Sequence, residues 1–279
     1  MINDELKSNY FSIPTSSFQK IMAKDIKELF DLTGKTAIIT GGSRGLGKEM
    51  AEGLAEAGAN LMLCARREEW LAPTIEEFRG RGFQVESHLC DVSNPEQVQA
   101  VVDKTVEKFG AVDILINNAG ISWGARPEEM PFDKWQKVLD VNLTGAFLFA
   151  QIAGREMLKR EYGRIINVSS VSGLRSSAHG PHYAGYAASK AGMFGLTREF
   201  AASWGNSGIR VNAIAPGFFH SRLADASIEQ VEPSIKERSP IPRVGEEGEL
   251  KGVAVFLASD ASNYITGQII VVDGGMTIV

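Results

Sequence analysis

The feature that most restricts this chain is a regular alternation, from Lys35 onward, of short β-rich runs with stretches of helical periodicity. The runs are KTAIIT at 35–40, NLMLCA at 60–65, FQVESHL at 83–89, DILIN at 113–117, RIINVS at 164–169, RVNAIAP at 210–216 and QIIVVD at 268–273. Most are too continuously apolar to leave one face in water, so they belong in a sheet covered on both sides. Seven such strands separated by helices imply an α/β, doubly wound domain with a parallel sheet. The segment from Ser93 through Pro95 and Glu96 to Gly110 reads as one of the helices, with Ser93 as its cap and Gly110 as its stop. No linker or internal repeat divides the chain, so residues 31–279 are expected to form one domain, with residues 1–30 as an appended arm. The stretch from Phe218 to Glu246, with Pro233, Pro240 and Pro242, reads as long and irregular, the form of a substrate lid.

Length and composition agree with this. A chain of 279 residues with 44% hydrophobic and 23% charged residues can bury one large core. Its formal charge of −5 and lack of a dense Lys/Arg cluster argue against nucleic-acid binding. Cys64 and Cys90 end apolar runs and read as core thiols, with no CxxC or His cluster to suggest a metal. No apolar stretch is long enough to span a bilayer, and Asp4, Glu5 and Lys7 do not follow a signal peptide's order of regions. A cytoplasmic location is expected.

Glycine is plentiful, but where the glycines fall matters more than their number. The first strand runs into Thr40-Gly41-Gly42-Ser43-Arg44-Gly45-Leu46-Gly47 and then a helical pattern. Glycines at 41, 45 and 47 allow a tight strand-to-helix turn and close approach of backbone to a pyrophosphate at a helix N-terminus. After the first strand of a βαβ unit this reads as the dinucleotide turn of a Rossmann domain, the alternative being a glycine-rich turn with no ligand. At the end of the second strand, where an acid would bond a ribose 2′-hydroxyl, the chain reads Ala65-Arg66-Arg67. With Arg44 nearby, these guanidiniums suit a 2′-phosphate, which favours NADP(H) over NAD(H); as solvated helix-starting residues they would leave that choice open. Asp91-Val92 and Asn118-Ala119-Gly120 follow the third and fourth strands and should border the cofactor. Asp91 suits either adenine contact or the capping of a turn.

Tyr186 and Lys190 lie four apart on a helical pattern, hence on one face. A phenol titrates near pH ~10, so its anion at pH 7 costs about 4 kcal/mol unaided. A nearby ammonium and an oxidised nicotinamide are expected to reduce that cost, making Tyr186 a general acid or base. Tyr183 has Ala187 at the same offset, so it lacks the partner. Ser170, at the end of the fifth strand, is the residue chosen to bond the carbonyl, with Ser172 as its rival.

Taken together, TGGSRGLG, NNAG, VNLTG, SSVSG, YAASK, the APG after the sixth strand and the closing VDGG resemble the short-chain dehydrogenase/reductase family in order and kind, over residues from about 33 to 275. The resemblance implies hydride transfer between a nicotinamide and a carbonyl or alcohol substrate. It implies a tetrad in which Asn142 holds a relay water, Ser170 orients the carbonyl, Tyr186 exchanges the proton, and Lys190 bonds the nicotinamide ribose. It places cofactor contacts at Ser43, Arg44, Leu46, Asp91, Val92, Asn118 and Phe219, with Gly41, Gly45, Gly47, Ala119, Gly120, Pro216, Gly217, Tyr186 and Lys190 beside them. It also implies a homotetramer. The loop between Ser170 and Tyr186 is longer than the family's usual one.

Substrate contacts are expected from Ser122 to Arg126, from Leu174 to Tyr183, and from His220, Arg222 and Leu223. Arg175, His179 and His182 among them suit a polar substrate. The closing half is similar to gluconate 5-dehydrogenases, which act on keto sugar acids, and shares most features with 3-oxoacyl thioester reductases. A non-catalytic NADP-binding sensor is the reading from another class, and the complete tetrad argues against it.

Overall fold

All seven β-rich runs become strands: β1 (Thr36–Thr40), β2 (Asn60–Ala65), β3 (Val85–Leu89), β4 (Ile114–Asn117), β5 (Gly163–Val168), β6 (Ile209–Pro216) and β7 (Ile269–Val272). They form one parallel sheet in the order β3-β2-β1-β4-β5-β6-β7. The computed structural model describes residues 24–176, 182–220 and 225–279. Strand order reverses between β1 and β4, which opens a crevice beyond their carboxyl ends. The third run is shorter than its sequence suggests. Phe83 precedes β3 and sets its ring edge-on against Phe78, 5.7 Å between centroids.

Among the described residues the helices are α1 (Ile26–Phe30), α2 (Gly45–Glu56), α3 (Glu68–Gly80), α4 (Pro95–Phe109), α5 (Phe132–Leu139), α6 (Gly145–Lys159), α7 (Ala184–Trp204), α8 (Asp225–Arg238) and α9 (Lys251–Ala258). They cover both faces of the sheet. One apolar layer joins Met50 and Leu54 of α2, Leu71, Ile75 and Phe78 of α3, and Leu257 of α9 to Ile39, Leu61 and Leu63 of the strands. The other joins Val98 and Val102 of α4, Phe149 and Met157 of α6, and Ala201 of α7 to Ile38, Met62 and Leu115. Burial of each large apolar side chain is worth about 1.5–3 kcal/mol, which is why the alternate faces of β1 and β2 are both apolar. No helix among the described residues is long and apolar enough to cross a membrane.

Three local readings change. Asn94, not Ser93, caps α4: its side chain accepts from Gln97 N at 2.9 Å. Ser93 is already committed, giving both its N–H and its hydroxyl to Asp91. Gly110 does stop the helix, in the left-handed region at φ 81°. The stretch 218–246 is not irregular throughout, because α8 fills half of it and carries Pro233 inside. A proline removes one backbone bond without forbidding the turns on either side, so Pro233 does not break the helix. The arm also ends in structure: Asp25 and Glu28 form a capping box on α1, and Phe30 meets Phe256 of α9 with ring centroids 6.3 Å apart.

Candidate active site

The β1–α2 turn shows why its glycines are required. Gly41 and Gly45 adopt φ 64° and 53°, values that L side chains rarely take. A Cβ on Gly47 would collide with both Asn118 Nδ2 and Gly41 O, so the first turn of α2 fits only without a side chain. Asn118 fastens the turn from across the sheet, donating from Nδ2 to Thr40 O (3.0 Å) and Gly41 O (3.2 Å). Thr40 Oγ1 accepts from the amides of Asn118 and Ala119, both at 2.9 Å. The N-cap of α2, Arg44, makes no side-chain cap bond. The leading amides of this 12-residue helix, backed by its dipole, therefore face the crevice as an anion site.

The crevice is a cleft of about 900 Å³. Its walls bring together Gly41, Ser43, Arg44, Gly45, Leu46, Gly47, Arg66, Asp91, Val92, Asn118, Ala119, Gly120, Tyr186, Lys190 and Phe219. These are residues far apart in sequence, joined by the switch point. Arg67 lies just outside the wall, its guanidinium 4.5 Å from the centre of the Trp70 ring. Pro216 and Gly217 do not line the cleft; Gly217 is packed against Asp273, where a Cβ would come within 2.8 Å of the Asp273 Cβ. Asp91 has its turn-capping role, since Ser93 Oγ donates to it at 2.6 Å, and it still faces the cleft. Ser93, Lys137 and Arg66 together hold its carboxyl below the usual range against the opposing effect of partial burial.

At the other end lie the chemical residues. Tyr186 and Lys190 project from the first two turns of α7 as their spacing requires. Ser170 Oγ accepts from Ser172 N at 3.1 Å and lies near enough to the Tyr186 phenol to favour its anion. Ser172 thus supplies a main-chain N–H, and the hydroxyl beside the phenol is that of Ser170. Lys190 Nζ donates to Val168 O at 2.7 Å and sits 5.5 Å from the Tyr186 ring centre. Tyr186 is half-buried and lines the cleft. Burial pushes the phenol up, and the nearby Ser170 side chain only partly opposes it. Burial brings the Lys190 ammonium down to about 8. The lowering of the phenol expected from Lys190 is therefore not achieved by these side chains alone, because the ammonium is turned to Val168 O and both groups are desolvated.

Asn142 sits on a π-helical turn, Asp140–Thr144, inserted between α5 and α6. Its Oδ1 accepts from Ile121 N (2.8 Å), and its Nδ2 donates to Ile121 O (2.9 Å) and Ser189 Oγ (3.0 Å). Ser189 in turn donates to Tyr186 O at 2.7 Å. The side chain is thus a strut between the loop after β4 and α7. A Cβ on Gly120 would stand 3.4 Å from Asn142 Oδ1 and 3.6 Å from Lys190 Nζ, which shows how tightly the three converge.

Sequence reasoning missed several cleft residues. Trp70, Pro73, Thr74 and Glu77 come from α3, and Glu247 follows Gly245 and Glu246, which end the stretch read as a lid. Glu49, on α2, is buried and accepts from Gly248 N (2.9 Å) and Leu250 N (2.8 Å). Only Trp70 and Thr74 left a trace in sequence, their spacing from Arg67 placing all three on one helix face. On the substrate side, His220 lines the cleft and Gly124 packs on Tyr183. Arg175 donates to Val279 O at 2.8 Å. His179, Arg222 and Leu223 lie outside the described residues.

Comparison with known proteins agrees with the geometry. A family model described as Enoyl-(Acyl carrier protein) reductase matches residues 41–277. A 3-oxoacyl-[acyl-carrier-protein] reductase of Thermotoga maritima is 38% identical over 247 residues, covering 88% of this chain and 99% of that relative. A 2-dehydro-3-deoxy-D-gluconate 5-dehydrogenase of Bacillus subtilis is 40% identical over 254 residues, 90% and 97% of the two chains. The crystal structure of a gluconate 5-dehydrogenase from Burkholderia cenocepacia, in complex with NADP and tartrate, superposes with a TM-score of 0.86 at 40% identity, over 91% of this chain and 99% of that one. With a parallel sheet reversed at β1 and β4, a glycine turn at its switch point, and near full-length matches of this identity, the chain belongs to the short-chain dehydrogenase/reductase family.

Proposed function

We propose that this chain is an NADP(H)-dependent oxidoreductase that interconverts a ketone and a secondary alcohol, with a keto sugar acid or related polyol as substrate. The observation that carries the reading is one cleft with Tyr186 and Lys190 at one end, Ser170 close behind the phenol, and Arg44 and Arg66 at the other end. NADPH, when bound, supplies the hydride that reaches the carbonyl carbon. Ser170 and Tyr186 hold the carbonyl oxygen between two hydroxyls, and the phenol gives that oxygen its proton. Lys190, already brought to about 8 by burial, sits where it can bond a ribose hydroxyl and stabilise the phenolate left behind. Asn142 keeps the β4 loop and α7 in register, beside which it would hold the relay water. In the oxidative direction each transfer reverses.

His220, Glu246 and Glu247 among the cleft residues support a polar substrate. The Burkholderia cenocepacia structure, with its tartrate, and the Bacillus subtilis relative support the same class. The Thermotoga maritima relative supports a 3-oxoacyl thioester as the second reading. Turnover assays decide between them: 5-ketogluconate and related keto sugars are expected to drive NADPH oxidation. Activity on a 3-oxoacyl thioester alone would overturn the sugar reading. In the same proposal residues 31–279 are the catalytic domain, residues 1–30 an arm and 218–246 the lid. The working form is a cytoplasmic homotetramer, for which size-exclusion chromatography with light scattering is the test.

A further inference from the structure

The adenosine end of the cleft holds an arrangement that the functional reading does not require. The Arg44 guanidinium lies 3.6 Å from the centre of the Trp70 ring, and the Arg67 guanidinium lies 4.5 Å from the same centre. Arg44 comes from the β1–α2 turn and Arg67 from the N-cap of α3, so the indole is where the two segments meet. Four residues further along that helix, buried Thr74 donates from Oγ1 to Ser43 O at 2.7 Å, tying the turn to α3 a second time. Arg67, Trp70 and Thr74, at intervals of three and four, present one continuous face of α3 to the turn.

We propose that Trp70 is a specificity-positioning residue, a pedestal that holds the Arg44 and Arg67 guanidiniums together for the 2′-phosphate of NADP(H). The physical case is entropic and electrostatic. Unrestrained arginine side chains sample many rotamers, and two of them repel when brought to one point. An aromatic face attracts each cation, offsets part of the repulsion and leaves the in-plane N–H edges directed outward. Those edges are what a phosphate bonds in pairs. Glu69 Oε1, 3.1 Å from Arg67 Nη1, is a second hold on that guanidinium and offsets part of its charge beside Arg44. Trp70 also lines the cleft itself, which puts the pedestal beside the ligand.

The proposal rests on the NADP reading, and fragments of the cofactor separate the two. The probes are 2′,5′-ADP and 5′-AMP, titrated calorimetrically against cofactor-free wild type, Trp70→Ala and Trp70→Phe. Wild type is expected to hold 2′,5′-ADP far more tightly than 5′-AMP. Trp70→Ala should weaken 2′,5′-ADP by about five- to tenfold and shift 5′-AMP by less than about twofold. Trp70→Phe, which keeps an aromatic face, should recover most of the loss. Equal weakening of both fragments by Trp70→Ala would make Trp70 a platform for adenine or a packing residue and overturn the proposal, as would no change in either. A wild-type enzyme that binds the two fragments equally overturns the NADP reading itself. Should Trp70→Ala fail to fold, Trp70→Phe and Trp70→Leu, compared at matched Tm, carry the test: loss of 2′,5′-ADP affinity in the leucine variant alone supports the pedestal, and equal affinity in both removes it.

Discussion

The two ends of the cleft solve opposite electrostatic problems. At the chemical end, Asn142, Ser170 and Lys190 are each buried to nine-tenths or more, and burial has moved the titration of both Tyr186 and Lys190. At the adenosine end, Arg44, Arg66 and Arg67 are exposed to water. A dry site makes each hydrogen bond decisive and each charge costly, whereas a wet site gathers charge cheaply and loses it to salt. Proton transfer needs the first condition; capture of a phosphate needs only the second.

The largest test of this contrast is Tyr186→Phe. Removing one hydroxyl at the dry end should lower kcat by about 10³-fold, with NADPH affinity within about twofold in equilibrium titration. Substantial residual turnover would mean that another group moves the proton. Asn142→Ala comes next, because it leaves Ile121 and Ser189 without their buried partner. A loss of roughly 2–3 kcal/mol in denaturant unfolding is expected, together with at least tenfold in kcat; full stability and activity would remove Asn142 from the strut role.

Lys190→Met should act in the other direction on stability. Between about 8 and 10.5 the unfolded chain holds a proton that folded Lys190 has lost, so stability rises with pH across that window. Below about 8 the cost of burying the charge is present in full, on the order of 3 kcal/mol before the lost bond to Val168 O is counted. The cofactor-free methionine variant should therefore be inactive yet roughly 1–2 kcal/mol more stable at neutral pH, the gain shrinking as pH approaches 10.5. A gain independent of pH would show that the buried ammonium of Lys190 is not its source. The smallest effect belongs to the wet end. Raising salt from about 0.05 to 0.5 M should weaken 2′,5′-ADP several-fold and leave kcat nearly constant; a salt-insensitive fragment would place the guanidiniums in a drier site than their exposure indicates.

The same contrast explains what was legible in the sequence. The strands were readable because a doubly covered parallel strand must be apolar along its length, as in TAIIT and NLMLCA. The phosphate turn was readable because positive φ at Gly41 and Gly45, and the contact at Gly47, leave no other residue type. Tyr186 and Lys190 were readable as a spacing on one helix. The π turn at Asn142 was not, since an i→i+5 bond leaves no compositional mark. Nor was α8, whose Pro233 argued against it, nor Glu49, whose partners Gly248 and Leu250 lie near the other end of the chain. Trp70 left only its spacing from Arg67 as a trace, because a tryptophan among charged residues reads as core packing until its neighbours in space are known.

Those distant partners of Glu49 bear on how the molecule is made. The helix that carries the phosphate turn leans its apolar face on Leu250, Ala254 and Leu257, so the first third of the chain completes its core only with residues near the end. During vectorial synthesis the amino-terminal half must wait with that face uncovered, and a chain released early would present it to chaperones or to other nascent chains. Truncation before α9 should therefore yield an aggregating fragment that never forms a nucleotide cleft, although every glycine of its phosphate turn is already in place.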